Sequence, residues 1–281
     1  MKSARTVIGY YGSKNGIADQ LVQLMPAHRG YVEPFAGSLA FLMAKSPAIF
    51  ECVNDRDGDL MTFWRVLRDQ PDELERVCAL TPHSRAELAA AWPIPPGTSD
   101  VERARRVWIK LSQGRGGHLL ESGWRNHEST RGRGSGMPTT LRGYVGRFSA
   151  AADRLRGVSL ESLDALELIR RYGRDPETLV YLDPPYLLST RARKGYRHEF
   201  HTPAQHTELA EVARDCKAMV MLSGYPSPLY DELYAGWNRH EIATQTNQGN
   251  SDARARTEVV WANFELEHGQ LFPTSEARAG T

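Results

Sequence analysis

The sequence predicts an α/β fold, an open and mostly parallel sheet with helices on both faces, interrupted by a mostly helical inserted lobe. Three observations carry that expectation. Residues 179–182, LVYL, form a short apolar run of the kind found in a parallel strand buried on both faces, and the run stops at Asp183-Pro184-Pro185-Tyr186. Residues 30–46, GYVEPFAGSLAFLMAKS, read as strand, small-residue turn and helix, the unit from which such sheets are built. Between these two stretches the periodicity weakens and positive charge gathers. Residues 101–157 carry twelve Arg or Lys against four Asp or Glu, while the whole chain has a net charge of only +1.

Taken in order, residues 7–25 predict a loop, GYYGSKNG, followed by a helix with Ile17, Leu21, Val22 and Leu24 at helical spacing. Gly12 lets the chain turn tightly there, and Tyr10 and Lys14 stand at the helix N-terminal side, where a carboxylate or phosphate is welcome. Tyr31 and Val32 then end a strand, Glu33, Pro34 and Phe35 form its exit, and Gly37 lies in the turn before a helix over 39–45. The next strand is expected over 48–54. Asp55 at its end lies about twenty residues past the glycine turn, the spacing at which nucleotide-binding folds place an acid on ribose hydroxyls. Asp57 is the better cap for the following helix, 58–67, which buries Leu60, Phe63, Trp64 and Leu67.

Residues 71–157 read as an insertion. Helices are expected over 72–80, 84–92, 100–112 and 140–155, and the Gly-, Ser- and Arg-rich stretch 113–139 lacks periodicity. Arg115, Arg125, Arg131, Arg133 and Arg142 are spaced across it, and as a group they suit phosphate contact or bidentate reading of guanine edges. Each taken singly also fits a solvated loop. Beyond 158 the chain returns to the sheet, with Ser162 and Asp164 before a helix that carries Leu166 and Ile169. After Tyr186, the run of Arg191, Arg193, Lys194 and Arg197 interleaved with Tyr196 and Phe200 suits a loop that follows a nucleic-acid backbone. A helix capped by Thr202, strands over 218–222, 237–242 and 257–264, and a short helix over 227–234 complete the fold.

Composition narrows the class. The chain has 281 residues, 41% of them hydrophobic, enough for one large domain with a substantial core. No apolar run approaches the roughly 18 residues needed to cross a bilayer, and the polar start MKSARTV lacks a signal segment, so a cytoplasmic location without membrane contact is expected. Cys52, Cys78 and Cys216 are far apart and show no metal-ligand spacing. They read as reduced packing residues, and no metal is expected.

The two prolines of Asp183-Pro184-Pro185-Tyr186 cannot donate to a sheet ladder, so the backbone leaves the strand in one preset direction. A carboxylate, a bare carbonyl and an aromatic ring then converge. An exocyclic amine on a nucleobase has its lone pair delocalised into the ring, and methylating it requires acceptors for its hydrogens. Asp183 and the Pro184 carbonyl supply two, and Tyr186 offers a stacking face worth roughly 1–3 kcal/mol per base.

In their order, GYYGSK (9–14), EPFAG (33–37), VNDRD (53–57), a basic insertion and DPPY (183–186) resemble the Dam-like, D12-class alpha group of N6-adenine DNA methyltransferases, over residues 7–264. One departure is Leu39, where the family often carries a second glycine. The resemblance implies a Rossmann-like class I methyltransferase sheet and S-adenosylmethionine as cofactor. It assigns catalysis to Asp183, Pro184, Pro185 and Tyr186. Tyr10, Lys14, Glu33, Pro34, Phe35, Gly37, Asp55 and Asp183 are expected at the cofactor or reaction centre, and Ser162 or Asp164 at the cofactor's adenine. It implies a flipped adenine in double-stranded DNA as substrate, a catalytic domain of residues 1–70 and 158–268, and a target-recognition region of 71–157. Separately, the tail over 269–281 reads as flexible, and the sequence does not give the oligomeric state, a monomer being favoured. Two alternatives remain at this level: an N4-cytosine methyltransferase, and a catalytically silent DNA-binding or antirestriction protein of the same fold.

Overall fold

The computed structural model describes residues 7–126, 136–188, 195–245 and 255–266. Arg131, Arg133, Arg191, Arg193, Lys194 and the tail 269–281 therefore lie outside the described residues. Seven strands form one sheet: β1 (Gly30–Glu33), β2 (Phe50–Asn54), β3 (Val158–Glu161), β4 (Thr178–Leu182), β5 (Met219–Gly224), β6 (Asn238–Gln245) and β7 (Ala255–Ala262). Their order is β3-β2-β1-β4-β5-β7-β6. The first five are parallel to one another, and β7 runs antiparallel to both β5 and β6. This is the expected α/β fold, a Rossmann-like methyltransferase sheet.

The apolar runs dictate the layering. Every residue of β1 and β4 is buried. Side chains alternate across the sheet, so Tyr31, Tyr181 and Met221 pack into one core, while Val32, Val180 and Val220 pack into the other. The first core is covered by α1 (Ala18–Gln23), α2 (Ala40–Ala44), α3 (Gly58–Asp69), α4 (Pro71–Ala79), α5 (Arg85–Ala90), α6 (Asp100–Gln113), α7 (Met137–Val145) and α8 (Phe148–Leu155). The second is covered by α9 (Ala165–Tyr172), α10 (Pro203–Arg214) and α11 (Pro228–Leu233). Among the described residues, no helix is long and apolar enough to cross a membrane.

Several local expectations shift. Glu33 belongs to β1 rather than to its exit. Leu39 takes φ 54°, the left-handed conformation that a glycine would adopt without strain, and α2 begins one residue later. The helix expected over 140–155 is two helices, because Gly143 and Gly146 weaken the helical run and the chain breaks at Gly146. The caps hold as read: Asp57 accepts from the amides of Asp59 and Leu60, and Thr202 forms a capping box with Gln205.

The basic excess of 101–157 is smaller in space than in sequence. Arg103 pairs with Asp59, Arg105 with Glu87 and Glu102, Arg106 with Glu102, Arg154 with Glu51, and Arg156 with Asp153. Four of these cations, Arg103, Arg105, Arg106 and Arg154, are partly buried and brace the fold, while the Arg156 pair is exposed. Helices α4, α6 and α8 also share one hydrophobic core with α3, through Leu74, Cys78, Val107, Trp108 and Phe148 packed with Phe63 and Trp64.

Candidate active site

Asp183 leaves the sheet at the carboxyl end of β4, and three side chains from three distant segments converge on it. Lys14 Nζ donates to its Oδ1 at 2.6 Å, and the hydroxyls of Tyr186 and Ser223 each lie 3.2 Å from the same oxygen. Ser223, near the end of β5, is held in turn by Tyr181 at 2.9 Å. Among the described residues, no hydrogen bond ends on Oδ2 of Asp183. Lys14 is almost wholly buried, with its ammonium 3.7 Å from Glu258 of β7 and 4.8 Å from the Tyr186 ring centroid. The Tyr186 hydroxyl donates its one proton to Glu258, the closer of its two carboxylate neighbours. Burial works against the Lys14 ammonium, yet the Asp183 and Glu258 carboxylates outweigh it and hold its pKa above the ordinary lysine value. Burial raises the Glu258 carboxyl, Lys14 opposing and Asp183 adding to the shift.

A cleft runs from this cluster to the glycine turn after β1. Gly37 has φ 47°, and a Cβ there would come within 3.0 Å of the Tyr10 ring, so the turn lies close against an aromatic face. Asp55 ties this turn to the one after β2: its Oδ2 accepts from the Gly37 amide at 3.0 Å and its Oδ1 from the Asp57 amide at 2.9 Å. Asn54 adds a second tie, donating to the Pro34 carbonyl at 3.0 Å and accepting from the Leu163 amide at 2.7 Å. Desolvation lifts the Asp55 carboxyl to about 6, although the two amides oppose the shift. Glu33 is pushed further, to about 8, by burial, the Tyr31 hydroxyl pulling against it and the Asp183 charge adding to it.

Residues 195–200 roof the cleft. The Tyr196 ring stands edge-on to Tyr11 at 5.4 Å, and its hydroxyl donates to the Tyr11 carbonyl. Phe200 meets Phe35 at 5.6 Å. Gly12, with φ 75°, is required here, since a Cβ would come within 2.5 Å of the Tyr196 hydroxyl.

The structure brings most of the expected residues together. Tyr10, Lys14, Glu33, Pro34, Phe35, Gly37, Asp55, Asp164, Asp183 and Pro185 all line this cleft. Asp164 also caps α9. Ser162 does not line it; its hydroxyl donates to the Asp55 carbonyl at 3.0 Å and so buttresses the turn from outside. Pro184 and Tyr186 sit behind the lining, the first buried and the second in the hydrogen-bonded cluster.

The basic residues divide. Arg197, expected on a loop following a backbone, instead pairs with Asp57 at 3.2 Å and Asp59 at 2.8 Å, because the roof folds it onto the start of α3. Arg115 and Arg125 flank a bridge between Gly114 and Trp124. Trp124 is clamped between the His83 ring, stacked at 4.3 Å, and the Arg85 guanidinium at 4.5 Å. The tip of this loop reaches the cleft, where Leu119 joins the lining and the Gly117 carbonyl accepts from the Tyr11 amide at 2.7 Å. Arg142 is exposed on α7. Glu258 and Ser223 were not anticipated, and Tyr196, expected on a loop following a nucleic-acid backbone, packs against Tyr11 in the roof instead. Glu258 alone left a signal, an acid on the inward face of the alternating run TEVVWA.

Sheet, glycine turn and proline-terminated acid together define an α/β methyltransferase. The family model described as D12 class N6 adenine-specific DNA methyltransferase matches residues 10–88 and 148–248, and the chain belongs to that family. Membership carries S-adenosylmethionine as methyl donor and DNA as substrate at the level of the class. The chain is also 28% identical over 273 residues to the Type II methyltransferase M1.LlaDCHI of Lactococcus lactis subsp. cremoris, covering 90% of this chain and 93% of that protein.

Proposed function

We propose that this chain methylates N6 of an adenine turned out of double-stranded DNA, with S-adenosylmethionine as donor. The observation that carries the reading is the polarity at Asp183. Lys14 and Ser223 donate to Oδ1, with the Tyr186 hydroxyl beside it, so Oδ2 is the oxygen left to accept a hydrogen from an incoming amine. With the Pro184 carbonyl as second acceptor, the two hydrogens of N6 are drawn out of conjugation and the nitrogen lone pair is freed. Lys14 pairs with the Asp183 carboxylate and fixes its rotation, and the Tyr186 ring supplies the stacking surface.

The cleft suits the donor. A cationic amino-acid nucleoside needs an aromatic face, closely approachable backbone and acids, and Tyr10, the Gly37 turn, Asp55 and Glu33 supply them. Residues around the Gly37 turn and Lys14 would hold the amino-acid end, and Asp55 and Asp164 the nucleoside end. When bound, the donor supplies a methyl group already activated on a sulfonium. The protein's own task is alignment, exclusion of water beneath the aromatic roof, and acceptance of hydrogen bonds from the amine.

DNA recognition is assigned to the inserted region, 71–157, with residues 1–70 and 158–268 as catalytic domain. Arg115 and Arg125 flank the base of a braced loop whose tip enters the cleft wall, and their positive charge supports DNA contact along that loop. The test is transfer of tritiated methyl from the donor to DNA, followed by nucleoside analysis. N6-methyladenine is expected. Label in N4-methylcytosine, or cofactor binding without any transfer, would overturn the reading.

A further inference from the structure

Glu258 has no place in the motifs that define the site, yet it is wired into their centre. The pairing of β7 with β5 sets Val259 opposite Gly224 and so brings Glu258 beside the carboxyl ends of β4 and β5. Its residue is 4% exposed, so water does not hydrate the carboxylate. Two groups meet it directly, the Tyr186 hydroxyl and the Lys14 ammonium. Among the described residues, Asp183, Tyr181 and Tyr230 also feel its charge or act on it, Tyr225 lies against Tyr186 and near Lys14, and Glu33 lies beyond Asp183. A phenol carries a single proton, so Tyr186 can donate to Asp183 or to Glu258 but not to both. The closer contact is to Glu258, which leaves Oδ1 of Asp183 to Lys14 and Ser223.

We propose that Glu258 is a positioning residue for methyl transfer, acting through Tyr186. The inference rests on the function assigned above. By holding the phenol at one end, Glu258 fixes the plane of the Tyr186 ring, whose χ2 torsion is otherwise broad. By drawing the phenol proton away from Asp183, it also keeps the substrate-facing carboxylate rotated toward Lys14. A base stacked on a ring set in advance is held in line for transfer, and small misplacements of that kind cost roughly 10²-fold in rate.

The experiment compares Glu258→Gln, which keeps a hydrogen-bond acceptor for Tyr186, with Glu258→Met, which removes it at similar volume. Single-turnover methyl transfer should fall roughly 10²-fold for Glu258→Met and markedly less for Glu258→Gln, with cofactor affinity within about threefold of the parent in both. In a Tyr186→Phe background the difference between the two should vanish. Carbon-13 spectra of labelled tyrosine, which need no DNA, should show the Tyr186 ring losing order in Glu258→Met. Equal rates for Glu258→Met and parent, an unaltered tyrosine spectrum, or a full Gln-to-Met difference persisting without the phenol would each overturn the inference. A parent protein that binds cofactor and shows the ordered ring but methylates no adenine refutes the functional reading instead, and the inference with it.

Discussion

Asp183→Asn is the most discriminating single change, because the variant keeps the shape of the side chain and reverses the polarity of one atom. Lys14 is a donor without acceptor capacity, and it lies 2.6 Å from Oδ1. The amide of the variant will therefore turn its oxygen toward Lys14 and its NH2 group to the Oδ2 position. An incoming N6 amine then meets a donor where it needs an acceptor. Loss of one preorganised partner costs roughly 10²–10³ in rate, and a repulsive contact adds to it, so single-turnover transfer should fall by at least about 10³, or about 4 kcal/mol. Rapid-quench transfer of tritiated methyl at saturating cofactor and DNA measures it, with calorimetry to show cofactor affinity within about threefold of the parent. If Asp183→Asn alone transfers within about threefold of the parent, Oδ2 is not the amine's acceptor and the reasoning fails.

Asp55→Ala should weaken cofactor binding at least about tenfold while DNA affinity stays unchanged, because it frees the Gly37 turn and removes a nucleoside partner; unchanged cofactor affinity by titration would reduce Asp55 to a local tie. Glu33 makes the cofactor-free fold pH-sensitive: its carboxyl is lifted to about 8, so between the ordinary glutamate value and 8 the folded chain holds a proton that the unfolded chain has released. Stability should thus decline as pH rises through that window, and at pH about 9 Glu33→Gln should be more stable than the parent by a few kcal/mol, on the order of magnitude such a shift implies; parallel stability profiles would refute this. Arg154→Met should cost about 3 kcal/mol of stability by denaturant unfolding, because it leaves Glu51 with only Lys45 as its buried cation. Arg125→Ala should cost about 1–3 kcal/mol at one base position in a randomised DNA library, whereas Arg142→Ala should weaken all sequences evenly and reduce the salt slope by about one.

What the sequence makes legible follows from where the physics is local. The strand at 178–182, the prolines that end it, the Asp57 cap and the Thr202 capping box are each decided within a few residues, and all are visible in the chain. The split of α7 from α8 was equally local, written in two glycines, but the apolar periodicity across them hid it. Glu258 and Ser223 could not be read so easily. Their roles depend on which strand neighbours which, and the order β4-β5-β7-β6 places β7 inside the sheet although it is last in the chain. Arg197 shows the opposite failure. Its surroundings in sequence are basic and aromatic, but the acids that take its charge, Asp57 and Asp59, are about 140 residues away.

The same reasoning narrows where DNA recognition can reside. A count of twelve cations over 101–157 suggests a uniformly basic lobe, yet α6 and α8 spend theirs on carboxylates of α3, β2 and their own helices. Such pairs, partly buried and bonded at both ends, cannot also neutralise phosphates without losing what they hold. The family match stops at 88 and resumes at 148, just where α8 begins to pack on the sheet layer. Helices α4 and α8 thus belong physically with α3 and the shared core, and the proposed recognition function contracts toward the loop at 113–126 and the exposed face of α7. That loop is braced at Trp124 by His83 and Arg85, and it abuts the cleft through Gly117 and Leu119. A base reader on that loop would be anchored to the wall of the cleft through these two residues.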